Sequence, residues 1–357
     1  MTTLPCPTSN TNQSTGYRAY ANMTSVICLF IPQLQWAPIA LLLWLSPLVS
    51  LAQPGPNPAW KRDWADPTVW KGDDGRYYSI STNPRRSIVS DDLFHWSYTK
   101  VSPIDEYSWS AIRGISHHYW APDVAMVAGK RNMYISLYNS AQDSNIGVFQ
   151  EFEPGQFQFK GIITKGSETG IEDTIDPEVV TDPKTGRVWL FFGSVGGIHR
   201  VELTPDGLSL KEGAKYEHVA GLKISQDNSR ERVFEGAYLH YRKGYWYLFV
   251  SSGHYNDHSY QLKVGRSKTL TGTFLSKEGK DMKDGEATTV LRTNKDDNFF
   301  GPGHCGEIYK ASDGKDYIFY HCHVRESRNP NSRPLFISQI KWDKKGWPSI
   351  DNINATE

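Results

Sequence analysis

Beyond residue 58 the chain breaks into short apolar or alternating runs, each bounded by turn residues. The most regular unit is an apolar run, a charged turn that usually contains glycine, and an aromatic run. It occurs five times: WADPTVWKGDDGRYYSIS from Trp64, WAPDVAMVAGKRNMYISLY from Trp120, IDPEVVTDPKTGRVWLFFGS from Ile175, FEGAYLHYRKGYWYLFVSSG from Phe234 and GPGHCGEIYKASDGKDYIFYHCH from Gly301. The starts fall 56, 55, 59 and 67 residues apart. Each unit predicts a hairpin. Between the hairpins lie outer-strand candidates such as SIVSDDLFHWSYT, NIGVFQ, GGIHRVELTPDG and QLKVGRSKTLTGTF. Repetition at this period, with about four strands per unit, predicts an all-β, five-bladed β-propeller. A β-helix would have shorter coils, and paired sandwiches would not explain five similar starts.

A propeller brings together residues that are distant in sequence, because each inner strand begins near the axis on one face. Asp66, Asp123, Asp176, Glu235 and His304 all sit at or just after such a start. Asp before Pro is often only a turn or cap, which is the reading for Asp182-Pro183. Asp66 and Asp176 gain weight from sharing a repeat position, and Glu235 because Glu is a poor turn residue. Asp123 lies deeper and could instead tie blades together through backbone hydrogen bonds. Crowded carboxylates repel one another and acquire unequal pKa values. Glycoside hydrolysis needs that inequality: one protonated acid for the leaving oxygen, one ionised group for water or the sugar. Trp64, Trp109, Trp120 and Phe234 are candidate sugar platforms, whereas Trp96 and Trp246 fall inside strand patterns. His304 could bind a metal, support a carboxylate or touch sugar. One imidazole is too few ligands for a protein-only metal site, which leaves a hydrated cation open. His321 and His323 bracket Cys322 with no further ligand spacing. No dinucleotide, P-loop or zinc motif appears, so no organic cofactor is expected.

The N-terminus is of another kind. Residues 26–58 hold an apolar run, small residues and a Pro/Gly stretch, the pattern of a secretory leader cut near Ala52 or Gln53. The core from Ile39 to Ala52 is short for a retained membrane anchor. The expected organisation is a leader over 1–52, a linker over 53–59, the propeller over 60–350 and a tail over 351–357. The 39 basic and 39 acidic side chains balance, so nothing in the net charge calls for a nucleic acid partner. Negative mean hydropathy excludes a multispanning membrane protein. Cys305 and Cys322, the two cysteines beyond the leader, could pair or stay free.

Taken together, ADP at Asp66, SDDLFHW at 90–96, WAPDV at 120–124, IDPEVV at 175–180, WLFFGSVGGIH at 189–199, FEGAYL at 234–239, VGRSKTLTGTF at 264–274 and GPGH at 301–304 resemble glycoside hydrolase family 43, most of all its endo-1,5-α-L-arabinanases. The resemblance covers about residues 60 to 345. It implies a five-bladed propeller and an inverting mechanism. Asp66 matches the general base, Glu235 the general acid, and Asp176 the carboxylate that raises and orients the acid. Ser194 falls in a matching segment as a substrate contact. His304 matches a histidine near the axis that ligates a hydrated calcium or similar ion. The implied substrate is arabinan or another arabinose- or xylose-containing polysaccharide, acted on by a secreted, monomeric enzyme. Inversion would place base and acid about 6.5 to 9.5 Å apart. Departures include Ala65 where the arabinanases carry His, Gly236-Ala237 where many have Ala-Pro, and Cys305 where Asn is usual. Exo-acting α-L-arabinofuranosidases and β-xylosidases share the trio, and a non-catalytic carbohydrate-binding propeller is the rival of another class.

Overall fold

The computed structural model describes residues 57–325 and 327–350. The expected leader, most of the linker and the tail lie outside the described residues. Strand β1 (Trp60–Asp63) comes first. Blade 1 holds β2 (Thr68–Lys71), β3 (Tyr77–Ile80), β4 (Ile88–Ser90) and β5 (Ser97–Tyr98), and helix α1 (Glu106–Arg113) follows. Blade 2 holds β6 (His118–Val127), β7 (Lys130–Tyr138), β8 (Ser144–Glu153) and β9 (Gln156–Lys165), then one turn of helix, α2 (Gly166–Thr169). Blade 3 holds β10 (Glu178–Thr181), β11 (Val188–Phe192), β12 (Ile198–Leu203) and β13 (Glu217–Ala220). Blade 4 holds β14 (Glu235–Arg242), β15 (Tyr245–Ser252), β16 (Gln261–Ser267) and β17 (Thr288–Arg292). Blade 5 has a divided inner strand, β18 (Phe299–Gly303) and β19 (Ile308–Lys310), then β20 (Asp316–Val324), β21 (Pro334–Trp342) and β22 (Pro348–Ile350). The strands of each sheet pair antiparallel. This is the five-bladed propeller that the repeats predict. The first strand, β1, pairs with β21, so both ends of the described chain join one sheet and the ring is latched shut.

The core is a set of seams rather than one centre. Trp70 and Ile80 of blade 1 meet Tyr119 and Met133 of blade 2. Val148 meets Leu190 across the next seam, Phe191 meets Leu248 across the third, and Phe249 meets Tyr320 across the fourth. Val69 and Ile88 meet Phe319 and Ile337 where the ring closes. Apolar residues on both faces explain why the middle strands read as continuous apolar runs: β11, VWLFF, is buried at every position.

Polar side chains tie the same seams near the axis. Thr68 accepts the Val124 N–H, Asp123 the Val179 N–H and Glu178 the Leu239 N–H. The Tyr238 hydroxyl accepts the Ile308 N–H, and Glu307 accepts the Val69 N–H. Every junction thus has one side-chain acceptor for a backbone donor that would otherwise be buried unpaired. Asp123 has the inter-blade role open to it on sequence grounds. Helix α1 is a local departure from the all-strand reading. The Asp105 side chain caps it by accepting from the Ser108 N–H, and its buried face carries Ser108, Trp109 and Ile112.

Candidate active site

At the start of each inner strand one residue adopts left-handed backbone geometry: Asp66 (φ 54°), Ala121 (44°), Asp176 (56°), Gly236 (59°) and His304 (45°). For the four non-glycine residues this is uncommon geometry. Partners from a neighbouring blade hold it in place. The N–H of Asp66 donates to His321 Nδ1, that of Ala121 to Thr82 Oγ1, that of Asp176 to Ser136 Oγ, and that of His304 to Ser251 Oγ. In blade 4 the Gly236 N–H donates to Asp176 Oδ2 at 3.2 Å. The kink turns the chain at the propeller mouth and aims Asp66 and Asp176 at the axis. Glu235 reaches the same space from one residue earlier, because Gly236 takes the kinked position. A Cβ on Gly236 would lie 2.9 Å from His304 Nδ1, so glycine there also allows the two blades to approach.

The kinks surround a cavity of about 410 Å³ lined from all five blades. Asp66, Asp176, Ser194, Glu235, His304 and Trp120 line it, together with Thr82, Tyr260 and Arg333. Asp66 is the most heavily partnered acid. Thr82 Oγ1 donates to its Oδ2 at 2.5 Å, and Arg333 Nη1 donates to its Oδ1 at 3.1 Å. His304 Nδ1 and His321 Nδ1 stand 3.4 and 3.3 Å from the same oxygen. Burial pushes the Asp66 carboxyl up, but Arg333, His304 and His321 outweigh burial and hold it well below the usual carboxylate range. Asp176 shows the reverse. Burial and then the charges of Glu235, Asp66 and Asp173 push it well above that range, against the pull of the Gly236 N–H. Glu235 is held by two hydroxyl donors, Tyr260 to Oε1 and Ser194 to Oε2, each at 2.7 Å. Burial keeps the His304 imidazole neutral by lowering its pKa against the pull of Asp66 and Glu235. His321, also neutral, is lowered to about 3 by burial.

Three aromatic residues expected as sugar platforms lie elsewhere. Phe234 is fully buried in the seam between blades 3 and 4. Successive residues of an extended chain point to opposite sides, so a Glu235 that faces the cavity sends Phe234 into the core. Trp64 is buried where blade 5 meets blade 1, and its indole N–H donates to Ser79 Oγ. Trp109 lies on the buried face of α1, edge-on to Tyr119. Trp120 does line the cavity. It stacks on Tyr138 at 4.3 Å, and the exposed His118 lies 5.3 Å from it, so three rings adjoin at this edge of the cavity.

Sequence reasoning missed Arg333, Tyr260, Thr82 and Asp173. Arg333 follows a turn with no distinctive motif. Tyr260 closes the segment GHYNDHSY, where this chain departs from the arabinanase pattern, and Gly303 leaves room for its ring: a Cβ there would overlap it. Asp173 lines the cavity with Oδ1 buried and unpartnered, and burial with Glu172 and Glu235 pushes it up to about 6. His323 sits between the carbonyl oxygens of Pro330, 3.1 Å from Nδ1, and Tyr255, 3.0 Å from Nε2, and donates a ring N–H, pinning the loops beside the cavity. Cys305 and Cys322 are both buried, free thiols.

Comparison with known proteins follows the same lines. The chain is 30% identical over 327 residues to the extracellular exo-α-(1→5)-L-arabinofuranosidase ArbA of Cellvibrio japonicus, covering 86% of this chain and 92% of that protein. It is 30% identical over 302 residues to the extracellular endo-α-(1→5)-L-arabinanase 1 of Bacillus subtilis, covering 80% and 86%. Among solved structures, the Cellvibrio cellulosa α-L-arabinanase complexed with arabinohexaose superposes with a TM-score of 0.68 at 28% identity, over 82% of this chain and 96% of that one. The model of the family described as Glycosyl hydrolases family 43 matches residues 56–348, nearly all of the described propeller, and the chain belongs to that family.

Proposed function

We propose that this glycoside hydrolase is a secreted enzyme that cleaves α-1,5-linked L-arabinan within the chain, with inversion. The observation that carries the reading is the opposite electrostatic treatment of neighbouring acids in one sugar-sized cavity. Asp66, held ionised chiefly by Arg333, is suited to take a proton from water as that water attacks the anomeric carbon. Glu235 delivers a proton to the departing sugar oxygen. Ser194 and Tyr260 fix its two oxygens and so aim the carboxyl. Asp176 stands beside it, and the mutual repulsion of the pair keeps a proton in the site for the leaving group. After bond cleavage the proton on Asp66 returns to solvent and Glu235 is reprotonated. His304 is suited to hold a hydrated cation. Its Nδ1 faces Asp66 and Asp176, 3.4 and 3.9 Å away, which favours the proton on Nδ1 and leaves a lone pair on Nε2. A calcium-like ion bound there would add positive charge beside the acids, with water as most of its shell.

Internal cleavage is favoured by the ledge of Trp120, Tyr138 and His118, which offers ring faces for sugars beyond the bond being cut. The exo reading rests on a different observation, the similarity to an exo-acting relative. Products decide between them. Debranched linear arabinan should yield a ladder of short oligosaccharides at early times; arabinose as the sole early product would establish the exo reading. Branched arabinan and arabinoxylan serve as comparison substrates. Glu235→Gln should reduce kcat by about 10² to 10⁴, and cleavage at the parental rate would remove Glu235 from its role.

A further inference from the structure

The chain carries no net charge, yet on the face opposite the cavity cations cluster in one pair of adjoining grooves. Strand β14 runs from Glu235 at the cavity to Arg242 on that far face, a span of about 23 Å. There, between blades 1 and 2, a concavity is lined by Asp73, Asp74, Glu151 and Glu153, with Arg131 the one cation among its lining residues and paired to Asp73 and Glu151. Two grooves on blades 4 and 5 have mainly cations among their charged lining residues. One groove of about 190 Å³ is lined by Arg242, Lys243, Lys344 and Lys345, and a second of about 520 Å³ by Lys268 and Lys277. Tyr245 and Arg266 line both, so the two form one path. The acid on that path is Asp343, which pairs with Lys277.

Several of these cations are pre-arranged on aromatic rings. The Arg266 guanidinium lies 4.3 Å from the ring centroids of both Tyr245 and Trp347, and its Nη1 donates to the Lys345 carbonyl. Arg242 lies 4.4 Å from Trp342, and Lys268 lies 3.7 Å from Tyr245. Cations held this way lose little side-chain freedom when an anion docks. Like charges kept this close repel one another, and a polyanion relieves that repulsion.

We infer that the path along Arg242, Tyr245, Arg266 and Lys268 is a docking groove for a linear polyuronate, an acidic polysaccharide with a carboxylate on each sugar. A joined pair of grooves fits an extended chain, whereas a bilayer needs a flat or protruding surface. Guanidinium groups suit carboxylates. The groove faces away from the catalytic cavity, so a docked enzyme keeps its cavity open to a neutral arabinan chain.

The test is electrophoretic retardation of the mature protein in gels holding polygalacturonate, with linear arabinan gels as the neutral reference. At low salt the parent should be retarded by the polyuronate, and retardation should vanish at about 1 M salt, where the Debye length is about 3 Å. Lys243→Glu/Lys344→Glu/Lys345→Glu should weaken binding by at least about tenfold, with hydrolysis of short soluble arabinan unchanged. Lys268→Gln/Lys344→Gln, a milder pair at exposed positions, should give a smaller loss in the same direction. A parent that migrates freely in polyuronate, or variants that bind it as tightly as the parent, would overturn the proposal. So would capture by phosphatidylserine vesicles without polyuronate binding. Arabinan hydrolysis is read separately, so failure here leaves the catalytic assignment standing.

Discussion

Arg333→Met offers the sharpest test of Asp66 as the proposed base. Arg333 Nη1 stands 3.1 Å from Asp66 Oδ1, and its side chain is 17% exposed. At an effective dielectric constant of about 20, a charge pair at that distance is worth about 5 kcal/mol. Water access and the remaining imidazoles reduce this, and an arginine neighbour commonly shifts a carboxylate by about 1 to 3 units. Without the guanidinium, burial acts on Asp66 with fewer opponents, and its pKa must rise. Because the base works ionised, the acid limb of the kcat/KM profile should move toward neutrality by about 1 to 3 units. The basic limb, set by the proton donor, should stay where it is. Above the raised Asp66 pKa, where Asp66 is ionised in both proteins, the variant should approach the parent's rate at the same pH. The assay is initial-rate release of reducing ends from linear arabinan across pH. A uniform loss at every pH, with the acid limb unmoved, would show that Arg333 does not tune Asp66 and would refute the electrostatic account.

Other consequences follow from the same structure. Trp120→Ala should raise KM about two- to tenfold with little change in Tm, since it strips a ring from the ledge; steady-state kinetics with arabino-oligosaccharides reads this, and an unchanged KM removes the platform role. Trp109→Ala should instead cost about 3 to 5 kcal/mol of stability in denaturant unfolding, because that indole fills the seam between blades 1 and 2. Burial pushes Glu307 to about 8 and Asp123 to about 7, both above their unfolded values. At these two carboxyls the folded state therefore holds more protons than the unfolded chain between about pH 4 and 8, while the buried neutral imidazole of His321 works in the opposite sense below about pH 6.5. Their contribution to stability should fall as pH rises through that window, by up to about 5 kcal/mol for Glu307. Calorimetry should show that Glu307→Gln gains Tm relative to the parent as pH rises from 5 to 8; a parent-to-variant Tm difference that does not change with pH would contradict the sign.

The five-fold repetition was legible because a blade is a local object. Its apolar runs, turns and aromatic strands recur in order, and residues placed equivalently in the repeat are equivalent in the ring. That reasoning alone brought Asp66, Asp176, Glu235 and His304 to one face. It could not separate Glu235 from Phe234, since the choice of which neighbour faces the axis depends on the kink at Gly236 and on what the adjacent blade accepts. Nor could it find Arg333 or Tyr260, which reach the cavity from loops without a motif.

Asp66 and Asp176 draw the division most clearly. Each precedes a proline, each begins an inner strand, and each has the same left-handed backbone. Local sequence determined that much, because turn chemistry depends on a few neighbouring residues. Yet one carboxyl is held far down and the other far up. The difference comes from Arg333, more than 250 residues from Asp66, and from Glu235, which closure of the ring sets beside Asp176. Charge acts through space, so only the tertiary structure could decide which acid is held ionised.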